Sequence, residues 1–302
     1  MIWLPRRKVI TPARRQAGFL LNPYRFETAA VPWTPSNLGT QPEGWFNDDS
    51  SITDAGGGVC SGWNDISGAG AHMGQPTSGA RPTILSAELN GRRVIRFNGT
   101  SQFLYSETAG AAALFRNQQY GWIMACYKKR TDDGSPTNRS ICSAAGGSLG
   151  TRLQASAGST SAANTPRLSA RRLDADSTSQ LDATTEAQGA YVMVLHTMAW
   201  ASGEGKLWIN GDLDATNATL TSSGSTSDTA TNRLSIGAFS NTGASSSGTN
   251  FGDVDIAELI AGDGAIPDSD ETEKLFGYLA HRWGLTDNLD VSHPYKTDPP
   301  TV

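Results

Sequence analysis

Residues 252–285, reading GDVDIAELIAGDGAIPDSDETEKLFGYLAHRWGL, constrain the fold most, because a strand-length apolar run there gives way to a single capped helix. Val254, Ile256, Leu259 and Ile260 predict a buried strand ending at the Asp263-Gly264 turn. The apolar spacing then lengthens to the helical period. Asp268 is placed to cap the helix, Glu271 follows at the capping-box position, and Leu275, Leu279 and Trp283 form one stripe. Gly284 stands where a left-handed C-terminal cap is expected. A helix with one such stripe needs an apolar surface to dock on, and the rest of the chain offers sheets.

Residues 120–127 (YGWIMACY) and 190–201 (AYVMVLHTMAWA) are near-continuous apolar runs, which predict central strands covered on both faces. Asn90-Gly91 and Asn210-Gly211 are hairpin turns, joining strands over 82–85 and 93–97 and over 206–209 and 212–215. Further strands are expected to end at Trp63 and to span 151–155, 167–171 and 233–239. Residues 64–68 (NDISG) make a tight polar loop in which Asp and Ser side chains bond the backbone. The 33 glycines and 18% charged residues suit many short strands, and eight Trp, nine Phe and seven Tyr supply a core that a disordered chain lacks. No internal repeat is visible, which excludes solenoids and propellers.

This predicts an all-β fold: one antiparallel sandwich over residues 45–285 with a short C-terminal helix, an N-terminal arm over 1–26, an extended linker over 27–44 and an extended tail over 286–302. The arm carries Arg6, Arg7, Lys8, Arg14, Arg15 and Arg25 without an acid, a charge of +6, while the remaining 18 basic and 29 acidic residues give −11. Trp3, Phe19 and Tyr24 are scattered through it without a strand or helix period. Such a segment cannot build its own core, so these nine residues form a candidate docking surface for an acidic neighbour, the chain's own body or another subunit. Nucleic acid is not expected, because basic residues do not cluster on the body and no recognition motif accompanies them. Pro5, Pro12 and Arg14-Arg15 interrupt the one candidate leader, so no signal peptide is expected, and no run is long enough for membrane insertion. Cys60, Cys126 and Cys142 lack C-x-x-C spacing and are expected to be buried free thiols.

The order of several short motifs carries a resemblance. Residues 63–68 (WNDISG), Gln75, 81–83 (RPT), 89–91 (LNG), 94–99 (VIRFNG), 207–211 (LWING), 256–259 (IAEL), 277–285 (GYLAHRWGL) and 293–296 (HPYK) together resemble the laminin-G-like or concanavalin A-like domains of bacteriophage virion proteins. The resemblance covers roughly residues 45–300, leaves the arm outside, and departs mildly at Asn98, where Asp is usual. It implies a jelly-roll sandwich in a tail, baseplate or capsid-surface component made in the host cytoplasm. It further implies partners among other virion proteins, a host-surface glycan as candidate ligand, and an oligomer, with a trimer suiting particle symmetry. A shared sandwich does not by itself fix an activity.

Glucanases of that superfamily carry a Glu-x-Asp-x-x-Glu strand, and Asp253, Asp255 and Glu258 stand in that pattern with Asp at the first position. The resemblance therefore admits a glycoside hydrolase or depolymerase using Asp253 and Glu258, since retaining hydrolysis needs a carboxylate nucleophile beside a carboxylic acid. The alternative is that these acids are structural and no residue is catalytic. His72, His196, His281 and His293 have no metal-ligand spacing, and His196 alternates within an apolar strand as a core residue. No nucleophile elbow, P-loop or H-E-x-x-H is present. No cofactor is expected; calcium, common among lectins of this fold, would draw on Asp48-Asp49 or Asp132-Asp133, which also read as solvated turn acids. Trp45, Trp63, Trp122, Trp200, Trp208 and Trp283 read as core or helix-docking residues, leaving Trp3 and Trp33 free, so no carbohydrate site is assigned. The remaining alternative is a pure decoration protein that binds no sugar.

Overall fold

Alternation and hairpin chemistry build two antiparallel sheets packed face to face. The computed structural model describes residues 30–49, 52–130, 139–145, 151–159, 164–229, 233–239 and 248–302. The nine proposed docking residues of the arm and Asp132-Asp133 lie outside the described residues. The first sheet runs, in spatial order, Asp212–Asn217, Glu204–Ile209, Tyr191–Ala199, Tyr120–Lys129, Val254–Asp263, Arg92–Arg96 and Thr83–Leu89, with Gly44–Phe46 also paired to Val254–Asp263. The second runs Ser179–Asp182, Arg167–Ala170, Thr151–Ser156, Ser140–Ala145, Arg233–Ile236, Leu104–Ser106, Met73–Gly74, Cys60–Trp63 and Ile52–Asp54. Both Asn-Gly turns close their hairpins, pairing Leu89 with Arg92 and Ile209 with Asp212.

The two central runs are covered on both faces as their composition requires. Ile123, Ala125, Tyr127, Val192 and Val194 point into the core between the sheets. Trp122, Met124, Cys126, Met193 and Leu195 point outward into a second apolar cluster beneath the helix. That helix, Ser269–Trp283, has both halves of the capping box formed between Asp268 and Glu271 and ends at Gly284 with φ of 69°. Leu275, Phe276, Leu279 and Trp283 are fully buried, each such side chain contributing about 1.5–3 kcal/mol of transfer free energy. A third layer results.

Three features differ from the sequence reading. Trp33, expected to be free, is 4% exposed and packs edge-on against Tyr278 at 6.4 Å; with Leu38 it caps the outer cluster, and residues 35–37 form a 3-10 turn rather than extended chain. Residues 286–302 lie along the body: Leu289 is buried, the His281 ring meets the Tyr295 carbonyl at 2.9 Å, and Pro32 bridges Thr301. The strand expected over 233–239 stops at Ile236, because Gly237 turns at φ of 83° against the Phe97 ring, where a Cβ would lie 2.2 Å from that ring. The free thiols of Cys60, Cys126 and Cys142 are buried, and burial pushes Cys60 and Cys142 up to about 12. Among the described residues no helix is long and apolar enough to cross a membrane.

Candidate functional site

A bulge between Ile256 and Glu258 in the long C-terminal strand turns Glu258 outward, beneath the helix. Its carboxylate is fully buried and accepts hydrogen bonds from Trp45 Nε1 at 2.6 Å, Trp283 Nε1 at 2.7 Å and the Tyr278 hydroxyl at 2.9 Å. Arg282 Nε lies 3.1 Å from Glu258 Oε2, and the same guanidinium also pairs with Asp48 and Asp49. Burial pushes the Glu258 carboxyl above the usual range, and Arg282 and the donors oppose that push. The motif acid thus fastens the helix to the sheet. A sugar would have to displace Trp45, Tyr278 or Trp283 to touch it.

The other acids of the motif are also engaged. Asp253 pairs with Arg130, and Asp255 accepts from Arg96 Nε at 2.7 Å and Nη2 at 2.8 Å, with Lys128 3.4 Å away. Asp48 and Asp49 hold the guanidinium groups of Arg92 and Arg282, so cations of the chain itself occupy the oxygens that calcium would need. Among the described residues no group of three or more His, Cys, Asp or Glu side chains is placed to hold a metal. His196 is a core residue whose Nδ1 faces the Ile123 carbonyl at 3.3 Å; burial lowers it to about 4.

The arrangement suited to a ligand lies where the outer cluster emerges from under the helix. Register places Leu213, Trp208, Leu195, Met124, Ile260 and Trp45 side by side across six strands of the first sheet. The helix covers the middle of that row. At its open end Trp208 is half-buried and Leu213 is 53% exposed. A groove of about 320 Å³ lies there, lined by Glu204, Lys206 and Trp208 of the strand, by Thr272 and Glu273 of the helix, and by Pro267 and Gly211.

Its lining sets apolar surface between polar walls. The C–H face of a pyranose ring is apolar and its hydroxyls radiate from the edge, so it needs a flat apolar floor with donors and acceptors around it. Trp208 supplies apolar surface in the groove, with Leu213 paired to it on the next strand. Lys206 and Glu204, paired at 2.8 Å, present a donor beside an acceptor on one wall, and Glu273 adds an acceptor on the other. The indole N–H of Trp208 makes no hydrogen bond among the described residues. Sequence reasoning assigned Trp208 to the core, since strand alternation shows which face it occupies but not where the helix ends above it. The adjoining exposed Leu213, beyond an Asn-Gly turn, was the available signal.

No family model matches the sequence, and no curated protein matches it. Solved structures share its fold. The botulinum neurotoxin serotype D binding domain superposes with a TM-score of 0.55 at 9% identity, over 80% of this chain and 52% of that one. The serotype G binding domain gives 0.53 at 12% identity, over 78% and 50%. Trypanosoma rangeli sialidase in complex with sialic acid gives 0.51 at 16% identity, over 84% and 36%. The likeness is one of fold, and the chain spans about half the length of the toxin domains and about a third of the sialidase. The protein is a β-sandwich of two antiparallel sheets.

Proposed function

We propose that the protein is a non-enzymatic structural component of a bacteriophage virion whose sandwich binds a host-surface glycan in the groove at Trp208. The groove carries this reading: a half-buried indole, beside an exposed leucine on the next strand and next to the paired charges of Lys206 and Glu204, has the makings of a sugar floor. The fold supports it, since the same sandwich occurs in domains whose purpose in the toxins is receptor binding. The engagement of Asp253 by Arg130 and the burial of Glu258 favour adhesion over hydrolysis. The virion assignment rests on the motif order over residues 45–300. Residues 1–26, basic and separate from those motifs, are the proposed tether to other virion proteins at the tail, baseplate or capsid surface, and a trimer suits such sites.

A glycan array probed with the full chain and with Trp208→Ala tests the adhesive role. A defined set of oligosaccharides should bind the parent and lose at least tenfold in the variant, about 1.4 kcal/mol or more. An array without hits would make the protein a decoration module, and release of reducing ends abolished by Glu258→Gln would make it a hydrolase. Deleting residues 1–26 tests the tether. Incorporation into particles should fall sharply, and an unchanged level would remove that role.

A further inference from the structure

The groove at Trp208 carries a charge pattern that would rank its ligands. Alternation along Glu204–Ile209 sets Glu204, Lys206 and Trp208 on the outward face, while Leu207 and Ile209 turn into the core between the sheets. The helix brings Glu273 to the same groove and its cap brings Asp268. The lining therefore holds three carboxylates, Glu204, Asp268 and Glu273, against the single ammonium of Lys206.

These charges are not equally available. Lys206 is paired with Glu204 at 2.8 Å, so each offsets the other. Asp268 accepts from the Glu271 N–H at 2.9 Å, and the positive end of the helix dipole offsets its charge. Glu273 is exposed and makes no hydrogen bond or ion pair among the described residues. The cations near it do not take that place. Lys274 pairs with Asp270 at 2.7 Å. His293 feels the charges of Glu273 and Asp212, but burial lowers its pKa. An indole and an uncommitted carboxylate in one groove suit an ammonium, which the π face of the ring attracts and the carboxylate pairs. An acidic sugar would meet a net negative lining whose one ammonium is already paired. We infer, resting on the glycan reading of this groove, that it prefers a sugar bearing a protonated amine, held by Glu273 beside Trp208, over the N-acetylated form of that sugar and over acidic sugars.

Full-length protein labelled at the tryptophan indoles and titrated at low salt with a glucosamine hexamer, its N-acetylated counterpart chitohexaose, a galacturonate hexamer and hexalysine tests this. The glucosamine hexamer should shift Trp208 at a concentration at least fivefold below that needed for chitohexaose, and the galacturonate hexamer should leave it in place. Glu273→Gln, an exposed change on the helix, should remove that preference and leave chitohexaose binding unchanged. Chitohexaose binding as tightly as the glucosamine hexamer, a shift with galacturonate, or a preference that survives Glu273→Gln would each overturn the inference and leave the groove a sugar site. Hexalysine acting as strongly as the glucosamine hexamer would also overturn it, by showing a site for any amine. A Trp208 indole that no sugar moves would overturn both this inference and the glycan reading beneath it.

Discussion

The two outer faces of the sandwich are equally buried and chemically opposite. Across the first sheet one register row reads Leu213, Trp208, Leu195, Met124, Ile260, Trp45. Across the second the corresponding row reads Tyr105, Ser235, Ser143, Gln154, Ser169, Gln180. Leu195, Met124 and Ile260 are 0% exposed, and Ser235, Ser143 and Ser169 are 0–1% exposed. The apolar row is held by transfer free energy and by the helix over it. The polar face carries ion pairs, one across strands between Arg167 and Asp182 at 2.9 Å and one from a strand to a loop between Arg152 and Asp174 at 2.7 Å. Burial alone therefore does not say what an interface is made of; the proposed sugar floor follows from the apolar row running past its cover.

The largest expected effect lies where the apolar face is fastened. Glu258→Ala takes the shared acceptor from Trp45, Tyr278 and Trp283 and leaves Arg282 to Asp48 and Asp49, and should cost about 3–5 kcal/mol in urea unfolding. A loss below 1 kcal/mol would mean that the helix is held by its stripe alone.

Behind the apolar row, two buried titrating groups oppose each other. Asp263, which accepts from the Phe115 N–H at 2.8 Å, is raised by burial to about 6, and His196 is lowered by burial to about 4. A raised carboxyl contributes stability below its unfolded pKa that is lost as pH climbs to 6. A lowered imidazole contributes stability above its unfolded pKa that is lost as pH falls to 4. Each is worth about 3 kcal/mol, so they nearly cancel between pH 4 and 6. In Asp263→Asn the cancellation ends, and stability should rise by ~3 kcal/mol from pH 4 to 6.5. Unfolding midpoints indifferent to pH in that variant would show that the two groups are not buried as described.

Paired substitutions compare the rows directly. Leu195→Ala should cost about 2–5 kcal/mol through the lost contacts and the cavity left behind. Ser143→Ala and Ser169→Ala remove buried hydroxyls that have no hydrogen-bond partner, and should be neutral or stabilising by up to about 1 kcal/mol. If the serines cost as much as the leucine, the polar face is a bonded network rather than a covered surface.

The same contrast explains what was legible in the sequence. Residues 120–127 and 190–201 announced themselves as double-covered strands because both of their faces are apolar. The capping box and stripe gave the helix to the residue. Ser140–Ala145, by contrast, gives no strand pattern in the sequence: its inward Cys142 and Ala144 are small, and its outward Ser143 is polar. Leu104–Ser106 and the short helix Ala109–Ala113, capped by Thr108, are too brief to carry a period. The groove was invisible for a different reason. Trp208 alternates like any core strand residue, and only register, which puts it beside Leu213 past the helix edge, makes it available.

Its indole resonance is the most direct test. Full-length protein labelled at the tryptophan indoles and titrated with cellohexaose, maltohexaose and chitohexaose should show Trp208 shifting with one of these sugars while the indoles of Trp45, Trp63, Trp122 and Trp283 stay in place. An unmoved Trp208, or shifts confined to the buried indoles, would contradict the account.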